Sequence, residues 1–389
     1  MNDRHCHERH GVPVVRGRPV ARDVPKLFDD FEPMPVRNWE WRRAGPDCLA
    51  DFSSSHSELP RASQLAWLVL EREESRVSLH GLTSITLGVP DVEAVCGYYE
   101  EFGLTPSGRS ADGQRRRFST LDGGEQLAVT QAPQRRLLEI GVGADDPDDL
   151  DRIESNLARL GAEFRRSGEE LVVHDPYSAL RVSITVAPRI VQSPAKAEPM
   201  NGPGRPDRAN VRAPGIERTN KVRPRRLGHV VVGSLDQEAS QEFFTRGLGF
   251  KVTDRVPSLA SFLRCSTDHH NVLLQRAPVN FLHHTAWEVD DVDEVGRGAH
   301  AMLEEHPERH VWGLGRHHVG SNFFWYLKDP AGNFSEYYAD LDCILDDQLW
   351  KPAVVEGARG IYNWGPPLPP SFIEPDDLAA LMTGAHAPR

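Results

Sequence analysis

From about residue 79 onward, short apolar runs typical of strands alternate with stretches in which apolar residues have the spacing of a helix. Short runs of strand-forming residues at positions 85–89 and 227–232 are each followed by a stretch whose apolar residues have helical spacing. The first of these stretches lies between Asp91 and Gly103, residue types that favour a helix start and a helix end. The pattern predicts units that consist of a strand, a helix and three further strands.

The same reasoning assigns the remaining elements. We predict strands at residues 85–89, 117–120, 126–131, 137–143, 170–174, 181–186, 227–232, 250–254, 260–265, 271–275, 283–289, 323–327 and 334–338. We predict helices at residues 90–99, 146–160, 236–248 and 292–305.

The second half of the chain repeats the first. Asp236 corresponds to Asp91 with an offset of 145 residues, and the Asp-Pro turn at Asp329 corresponds to the one at Asp175 with an offset of 154. The chain is therefore predicted to be a duplication of a duplication, four βαβββ modules of the α+β class that form two barrel-like domains.

Composition divides the chain further. Residues 1–76 are polar and lack periodicity, so we expect a disordered extension, with a translation start at Val77 as a further hypothesis. We assign residues 79–188 to a first domain and the Pro- and Gly-rich residues 189–225 to a linker. Residues 226–345 form the expected second domain, and residues 346–389 a tail that packs on it or contributes to a lid over a pocket.

Charge and cysteine content restrict the class of protein. The chain has 57 acidic and 45 basic residues, a net charge of −12, which disfavours binding to nucleic acid or to an anionic membrane. The five cysteines form no CxxC pair, and no apolar run approaches the ~20 residues of a membrane span. We also find no signal peptide, so we expect a soluble, reduced, cytoplasmic protein.

Comparison of the two halves identifies candidate metal ligands. The second half has two histidines and a glutamate at positions where the alignment gives the first half other residues: His229 against Ser84, His284 against Glu139, and Glu336 against Val182. Two imidazoles and one carboxylate are the ligand set of a facial triad on non-haem Fe(II). Without a repeat, each histidine alone would more often be structural.

A predicted hairpin lies close to these candidates. The turn Asp329-Pro330-Ala331-Gly332 joins two aromatic-rich strands, and folding at the turn brings Tyr326 and Glu336 onto adjacent strands. A carboxylate buried among aromatic residues requires a cation or a metal as its partner.

These residues carry a family resemblance. The second half resembles the ring-cleaving domain of type I extradiol dioxygenases, catechol 2,3-dioxygenase-like members of the vicinal oxygen chelate superfamily. The matching residues are Gly315-Arg316-His317, Tyr326, the Asp329–Gly332 turn, Glu336 and the segment His270–Leu274, which we predict to be a strand. Trp325 departs from the pattern, which usually has an aliphatic residue before the tyrosine. The resemblance covers residues 79–365.

The resemblance implies roles for individual residues. His229, His284 and Glu336 would hold Fe(II), with Mn(II) as an alternative. His270, His317 and Tyr326 would be the catalytic residues. The substrates would be a catechol-type small molecule and O2, the first domain would lack a metal site, and the protein would form a homo-oligomer.

Three further histidines are expected to have structural or pocket-edge roles. On regular strands, neighbouring side chains point to opposite faces, which predicts that His269, His283 and His318 point away from the site.

Two other functions remain open at this stage. One is another metal-dependent enzyme of this fold: an isomerase, a lyase or a hydroxyphenylpyruvate-type oxygenase. The other is a non-catalytic protein that binds small molecules or confers resistance. Which catechol is the substrate, and which of its bonds is cleaved, is likewise open.

Overall fold

The computed structural model describes residues 78–355 and 360–383, all within one compact unit of the chain. The expected disordered extension at residues 1–76 and the hypothetical start at Val77 lie outside these residues. No helix in the described ranges is long and apolar enough to span a membrane.

The first half contains eight strands and two helices. The strands are β1 (Leu79–Val89), β2 (Thr105–Arg109), β3 (Arg115–Ser119), β4 (Leu127–Gln131), β5 (Arg136–Ala144), β6 (Phe164–Ser167), β7 (Glu170–Asp175) and β8 (Leu180–Val186). The helices are α1 (Val92–Glu101) and α2 (Pro147–Arg159). Asp91 and Asp146 cap them, since each carboxylate accepts a hydrogen bond from a backbone N–H three residues later. A short helix, α3 (Pro214–Glu217), lies in the segment that follows.

The second half repeats this order. Its strands are β9 (Arg226–Ser234), β10 (Lys251–Val256), β11 (Ala260–Arg264), β12 (Val272–Arg276), β13 (Phe281–Glu288), β14 (His310–Arg316), β15 (Phe323–Lys328) and β16 (Phe334–Ala339). Its helices are α4 (Gln237–Glu242), which continues as a π-helical turn (Phe243–Gly247), and α5 (Val292–Leu303), with a 3-10 turn at Pro307–Arg309. The last described elements are α6 (Pro370–Ile373) and α7 (Leu378–Thr383).

Each half forms one eight-stranded mixed sheet. The strand order is β2-β3-β4-β1-β5-β8-β7-β6 in the first and β10-β11-β12-β9-β13-β16-β15-β14 in the second. The first strands of the two modules pair antiparallel at the centre of each sheet, β1 with β5 and β9 with β13. The predicted α+β class and four-module duplication are confirmed.

The sequence analysis missed three strands, β2, β6 and β14, all at sheet edges. All five residues of β2 are exposed, and β6 carries alternating exposed positions with two arginines. An edge strand pairs on one side only, so it needs less apolar sequence. In β14, Gly313 and Gly315 interrupt the apolar pattern because Trp325 and Phe324 occupy the space where a Cβ atom would lie.

The strand register corrects one of the repeat matches. Ala286 on β13 pairs with Glu336, and its equivalent Gly141 pairs with Ser183. The position equivalent to Glu336 is therefore Ser183, not Val182. The other two matches hold, because His229 pairs with Ala286 as Ser84 pairs with Gly141, and His284 pairs with Val231 as Glu139 pairs with Thr86.

A longer turn explains the error. Asp175 pairs with Leu180 across the first turn, whereas Asp329 donates its N–H to the carbonyl of Asn333 across the second. The extra residue in the first turn shifts everything after it by one position. A shift of one residue moves a side chain to the opposite face of a strand.

The two halves share a continuous apolar core. Helix α1 packs against β16: the rings of Phe102 and Tyr337 stack with centroids 3.9 Å apart, and the Tyr337 hydroxyl donates to the Phe102 carbonyl at 2.6 Å. The hydroxyl oxygens of Tyr98 and Ser335 lie 2.5 Å apart. The first half therefore contacts the residues on both sides of Glu336.

The C-terminal segment packs on the second sheet. Val354 bridges to Arg255 and Trp364 to Arg316. Near the end, Asp377 accepts two hydrogen bonds from the buried Arg135 of the first half, which also donates to the Leu282 carbonyl. This segment therefore connects both halves.

Candidate active site

Three adjacent strands bring the candidate metal ligands together. His229 lies on β9, His284 on β13 and Glu336 on β16, and the register places Ala286 of β13 opposite both His229 and Glu336. One potential ligand atom from each of the three lies within 4.8 Å of the others.

The geometry of this cluster suits a cation. His229 Nε2 and His284 Nε2 lie 3.2 Å and 3.5 Å from Glu336 Oε2. All three side chains are buried, and neither Glu336 Oε2 nor His284 Nε2 has a hydrogen-bond partner. A buried carboxylate oxygen without a partner is costly, and a bound divalent metal would satisfy it together with both imidazoles. The residues present therefore fit a two-histidine, one-carboxylate metal site.

The equivalent positions of the first half are satisfied by protein groups. Glu139 forms an ion pair with Arg181, and Ser183 donates a hydrogen bond to Glu170 Oε1 at 2.7 Å. Within the described residues, the only cluster of three or more histidine, cysteine or acidic side chains that could hold a metal is the one in the second half.

Asn322 contacts the other oxygen of the glutamate. Its side-chain N–H donates to Glu336 Oε1 at 3.0 Å, and Asn322 is fully buried. This bond fixes the carboxylate so that Oε2 faces the two histidines. Sequence reasoning missed Asn322, which lies in the loop between β14 and β15, where no periodic pattern shows which side chains point inward.

His317 and Tyr326 form a hydrogen-bonded pair beside the cluster. The predicted adjacency of Tyr326 and Glu336 is confirmed by the register of β15 and β16. His317 Nδ1 lies 2.5 Å from the Ile361 carbonyl and must donate to it, so Nε2 accepts from the Tyr326 hydroxyl at 2.7 Å. The tautomer of His317 follows from these partners.

Burial sets the ionisation of this pair. It lowers the pKa of His317, an effect that the charge of Glu336 partly opposes. It raises the pKa of Tyr326 well above its usual value, and the nearby Glu336 charge raises it further. Tyr326 is therefore a neutral phenol and a hydrogen-bond donor at neutral pH.

His270 lies in a loop, which corrects the prediction that it is part of a strand. Strand β12 begins at Val272, and the preceding loop places the His270 ring 4.2 Å from that of His229. Burial, followed by the neighbouring histidines, lowers the pKa of His270 well below its usual value. The loop still brings this residue to the candidate metal site.

The prediction that neighbouring histidines point to opposite faces is wrong for two of the three. His269 Nδ1 lies 3.0 Å from His270 Nδ1, since both are in the loop. A register shift between Leu282 and His284 marks a β-bulge, and the Nδ1 atoms of His283 and His284 are 2.7 Å apart. His318 is exposed.

The C-terminal segment covers one side of the site. The Phe372 ring lies 4.6 Å from that of Tyr326 and 4.7 Å from that of His283, and the Phe372 carbonyl lies 2.5 Å from His283 Nε2. Together with the contact between Ile361 and His317, these contacts put Phe372 and Ile361 at the border of the site.

Comparisons with known proteins agree with this geometry. The model of the Glyoxalase/Bleomycin resistance protein/Dioxygenase superfamily matches residues 226–337. Metapyrocatechase 2 of Cupriavidus necator is 32% identical over 319 residues, which cover 77% of this chain and 92% of that protein.

Solved structures share the fold. The Mn(II)-bound glyoxalase from Novosphingobium aromaticivorans superposes with a TM-score of 0.59 at 26% identity, over 75% of this chain and 95% of its own. Homoprotocatechuate 2,3-dioxygenase from Arthrobacter globiformis superposes with a TM-score of 0.62 at 18% identity, over 76% and 91%. The match to metapyrocatechase 2 extends over most of both chains, and the fold and the arrangement of the second-half residues agree with it. This chain therefore belongs to the type I extradiol dioxygenase family of the vicinal oxygen chelate superfamily.

Proposed function

We propose that this protein is an Fe(II)-dependent extradiol dioxygenase that inserts both atoms of O2 into a catechol-type ring beside its vicinal hydroxyl groups. The observation that carries the proposal is the cluster of His229, His284 and Glu336, in which His284 Nε2 and Glu336 Oε2 are unpaired, beside the linked pair of His317 and Tyr326.

His229, His284 and Glu336 are the proposed metal ligands. When bound there, Fe(II) would supply a Lewis acid for the catechol oxygens and a redox-active centre for dioxygen. Asn322 holds the glutamate from its other oxygen, so the carboxylate keeps one orientation while substrate enters.

The pair formed by His317 and Tyr326 is proposed to orient the substrate. The Tyr326 hydroxyl donates its only hydrogen to His317 Nε2, so its oxygen is free to accept a hydrogen bond from a catechol hydroxyl. The carbonyl of Ile361 keeps His317 in the tautomer that this arrangement needs.

His270 is the proposed acid–base group. Its ring lies 4.2 Å from that of His229, and its imidazole can take a proton from the substrate and return one as dioxygen is reduced. Because burial lowers the pKa of His270, the ring is neutral in the metal-free site and is available to accept the first proton.

The proposal also covers the role of the first domain, the identity of the metal and the oligomeric state. The first domain is a structural domain without metal, since protein groups satisfy Glu139 and Ser183. Fe(II) is preferred to Mn(II) because two imidazoles and a carboxylate are the usual set of non-haem Fe(II) oxygenases. Homo-oligomerisation remains a prediction from the family.

Anaerobic reconstitution tests the function. Metal-free protein is loaded separately with Fe(II) and Mn(II), then mixed in air with monocyclic and bicyclic catechols while the yellow ring-fission product and oxygen uptake are recorded. We expect a yellow product with Fe(II) and uptake of one O2 per catechol. Loaded protein that consumes no oxygen with any catechol would refute the proposal.

A glyoxalase-type isomerase is the second candidate. It is favoured by the 26% identity to the Mn(II)-bound glyoxalase over nearly the whole of that protein. An isomerase would convert its substrate without consuming oxygen, so oxygen uptake separates the two functions.

A further inference from the structure

A buried carboxylate and a second histidine lie in line behind His270. Asp254 on β10 places its Oδ2 atom 2.9 Å from His269 Nε2, and His269 Nδ1 lies 3.0 Å from His270 Nδ1. The exposed fractions of Asp254, His269 and His270 are 4%, 0% and 4%. The three side chains therefore form a continuous hydrogen-bonded line that ends at the candidate catalytic residue.

The direction of these hydrogen bonds follows from the partners. Asp254 Oδ1 accepts the N–H of Ala353 at 2.6 Å, and Oδ2 faces His269, so the carboxylate acts as an acceptor on both sides. His269 must then carry its hydrogen on Nε2. A neutral imidazole has one N–H, so His269 Nδ1 is an acceptor and the hydrogen between the two rings belongs to His270 Nδ1.

We infer that Asp254 and His269 are positioning residues that hold His270 in the Nδ1–H tautomer, with its Nε2 lone pair available to the substrate. The inference rests on the proposed ring-cleavage function, in which His270 accepts a substrate proton. The opposite tautomer would present an N–H at Nε2, and that ring could not take a proton there.

Aromatic side chains shield this line from water. The Trp350 ring lies 5.4 Å from that of His269, and the Phe262 ring lies 5.7 Å from His269 and 5.2 Å from His270. Trp350 and Ala353 belong to the C-terminal segment, which therefore also supports the line. Exclusion of water leaves His269 Nε2, His269 Nδ1 and His270 Nδ1 with one protein partner each, so one tautomer is strongly favoured.

The substitution Asp254→Asn should reverse the direction of the hydrogen bonds from residue 254 to His270, while a side chain of the same size stays in place. The Ala353 N–H still requires an acceptor, so the new amide oxygen faces Ala353 and the amide N–H2 faces His269 Nε2. His269 then carries its hydrogen on Nδ1 and donates to His270, whose own hydrogen moves to Nε2. The expected result is the wrong tautomer in an otherwise intact site.

Two measurements test the inference. Long-range 1H–15N spectra of the metal-free protein, with the His270 signals assigned by their loss in His270→Phe, should show Nδ1–H in the parent and Nε2–H in Asp254→Asn. In Fe(II)-loaded protein, kcat per bound iron should fall by about 10²–10⁴-fold, the contribution typical of a general acid–base group, while iron content and catechol KM stay near the parent values.

Three further variants complete the test: one is a control for general disturbance of the loop, and two replace His269 itself. Asp268→Asn changes a buried carboxylate of the same loop that bonds to Arg226 and Asn271 and has no hydrogen bond to either histidine, so kcat per iron and the His270 tautomer should stay unchanged. His269→Leu should reproduce the loss seen for Asp254→Asn. His269→Asn places an amide oxygen near the former Nδ1 position and should recover at least tenfold over His269→Leu.

The results distinguish this inference from the proposed function. If the parent cleaves catechols but Asp254→Asn and His269→Leu keep the Nδ1–H tautomer and full kcat per iron, the inference is wrong. It is also wrong if these variants lose iron and activity in parallel, because that is the behaviour of a structural contact. A parent that cleaves no catechol would refute the proposed function, while the spectra would still test the tautomer.

Discussion

The hydroxyl oxygen of Tyr98 in the first half lies 2.5 Å from that of Ser335, the residue directly before Glu336. On the other side of Glu336, Tyr337 stacks on Phe102, the C-cap residue of helix α1, which also carries Tyr98. Because Ser335 and Tyr337 are bonded to Glu336 along the strand, these contacts fix the backbone position from which the Glu336 side chain extends. They give the first half a physical role in a site to which it contributes no proposed ligand.

Removal of one of these two hydroxyls should destabilise the protein. Tyr98→Phe and Ser335→Ala should each lower the free energy of unfolding by about 1–3 kcal/mol, because each leaves a buried hydroxyl without its partner. The double variant should cost less than the sum of the two, since no unpaired hydroxyl remains. Urea unfolding of all four proteins measures the coupling, and strictly additive effects would contradict a direct bond.

Metal content should depend on the second half alone. We expect one metal ion per chain after reconstitution, and Glu336→Ala should remove nearly all of it because two imidazoles remain without the anionic ligand. The matched control is Ser183→Ala, which alters the equivalent position of the first half and should leave metal content unchanged. Elemental analysis decides this, and two ions per chain would disprove the assignment.

His270→Phe should separate catalysis from metal binding. The three proposed ligands are untouched, so the variant should keep its iron and still bind catechol. Turnover should fall by about 10²–10⁴-fold, which corresponds to about 3–5 kcal/mol of activation free energy. Iron content, catechol affinity and kcat are measured on one preparation. Normal turnover per iron in this variant would exclude the proposed role.

The exposed His318 provides the matched control for that experiment. It is a neighbour of His317 in the sequence, yet its side chain is exposed. His318→Phe should therefore leave iron content, affinity and turnover close to those of the parent. A loss equal to that of His270→Phe would point to general sensitivity of the site to histidine replacement.

Asp329 should make the free energy of unfolding depend on pH. Burial raises the pKa of this carboxyl from 3.8 to about 6, although hydrogen bonds from Asn333 and the charge of Arg135 oppose the shift. The folded protein thus binds a proton that the unfolded chain releases at lower pH. The stabilisation is complete below pH 3.8 and is lost as pH rises through about 6, with a total of about 3 kcal/mol.

Comparison with Asp329→Asn isolates this effect from other buried groups. The amide cannot ionise, so the stability difference between the two proteins should shift in favour of the variant between pH 4 and pH 7. Urea midpoints at several pH values provide the measurement. A difference that stays constant with pH would show that Asp329 does not titrate in this range.

Local sequence patterns were enough to predict the modules and the pairing of Tyr326 with Glu336. Alternation and helix capping predicted the central strands and the main helices, because buried elements need a regular apolar face. The Asp329–Gly332 turn likewise placed Tyr326 opposite Glu336, because a short turn leaves little freedom in the register.

The tertiary structure decided the features that depend on shifts of one residue. The bulge before His284, the longer turn before Ser183 and the loop that carries His269 each alter which way a side chain points. Neither a bulge nor a turn length is encoded in the alternation of apolar residues, and strict alternation therefore misplaced these side chains.

Contacts between distant segments also required the structure. Asn322 on Glu336, Asp254 behind His269, and Tyr98 beside Ser335 join residues that no local period relates. The sequence determined which residue types could hold a metal and exchange protons. The packing of the two halves and the C-terminal segment determined how they are oriented, because a buried polar group must find its partner wherever the folded chain brings one close.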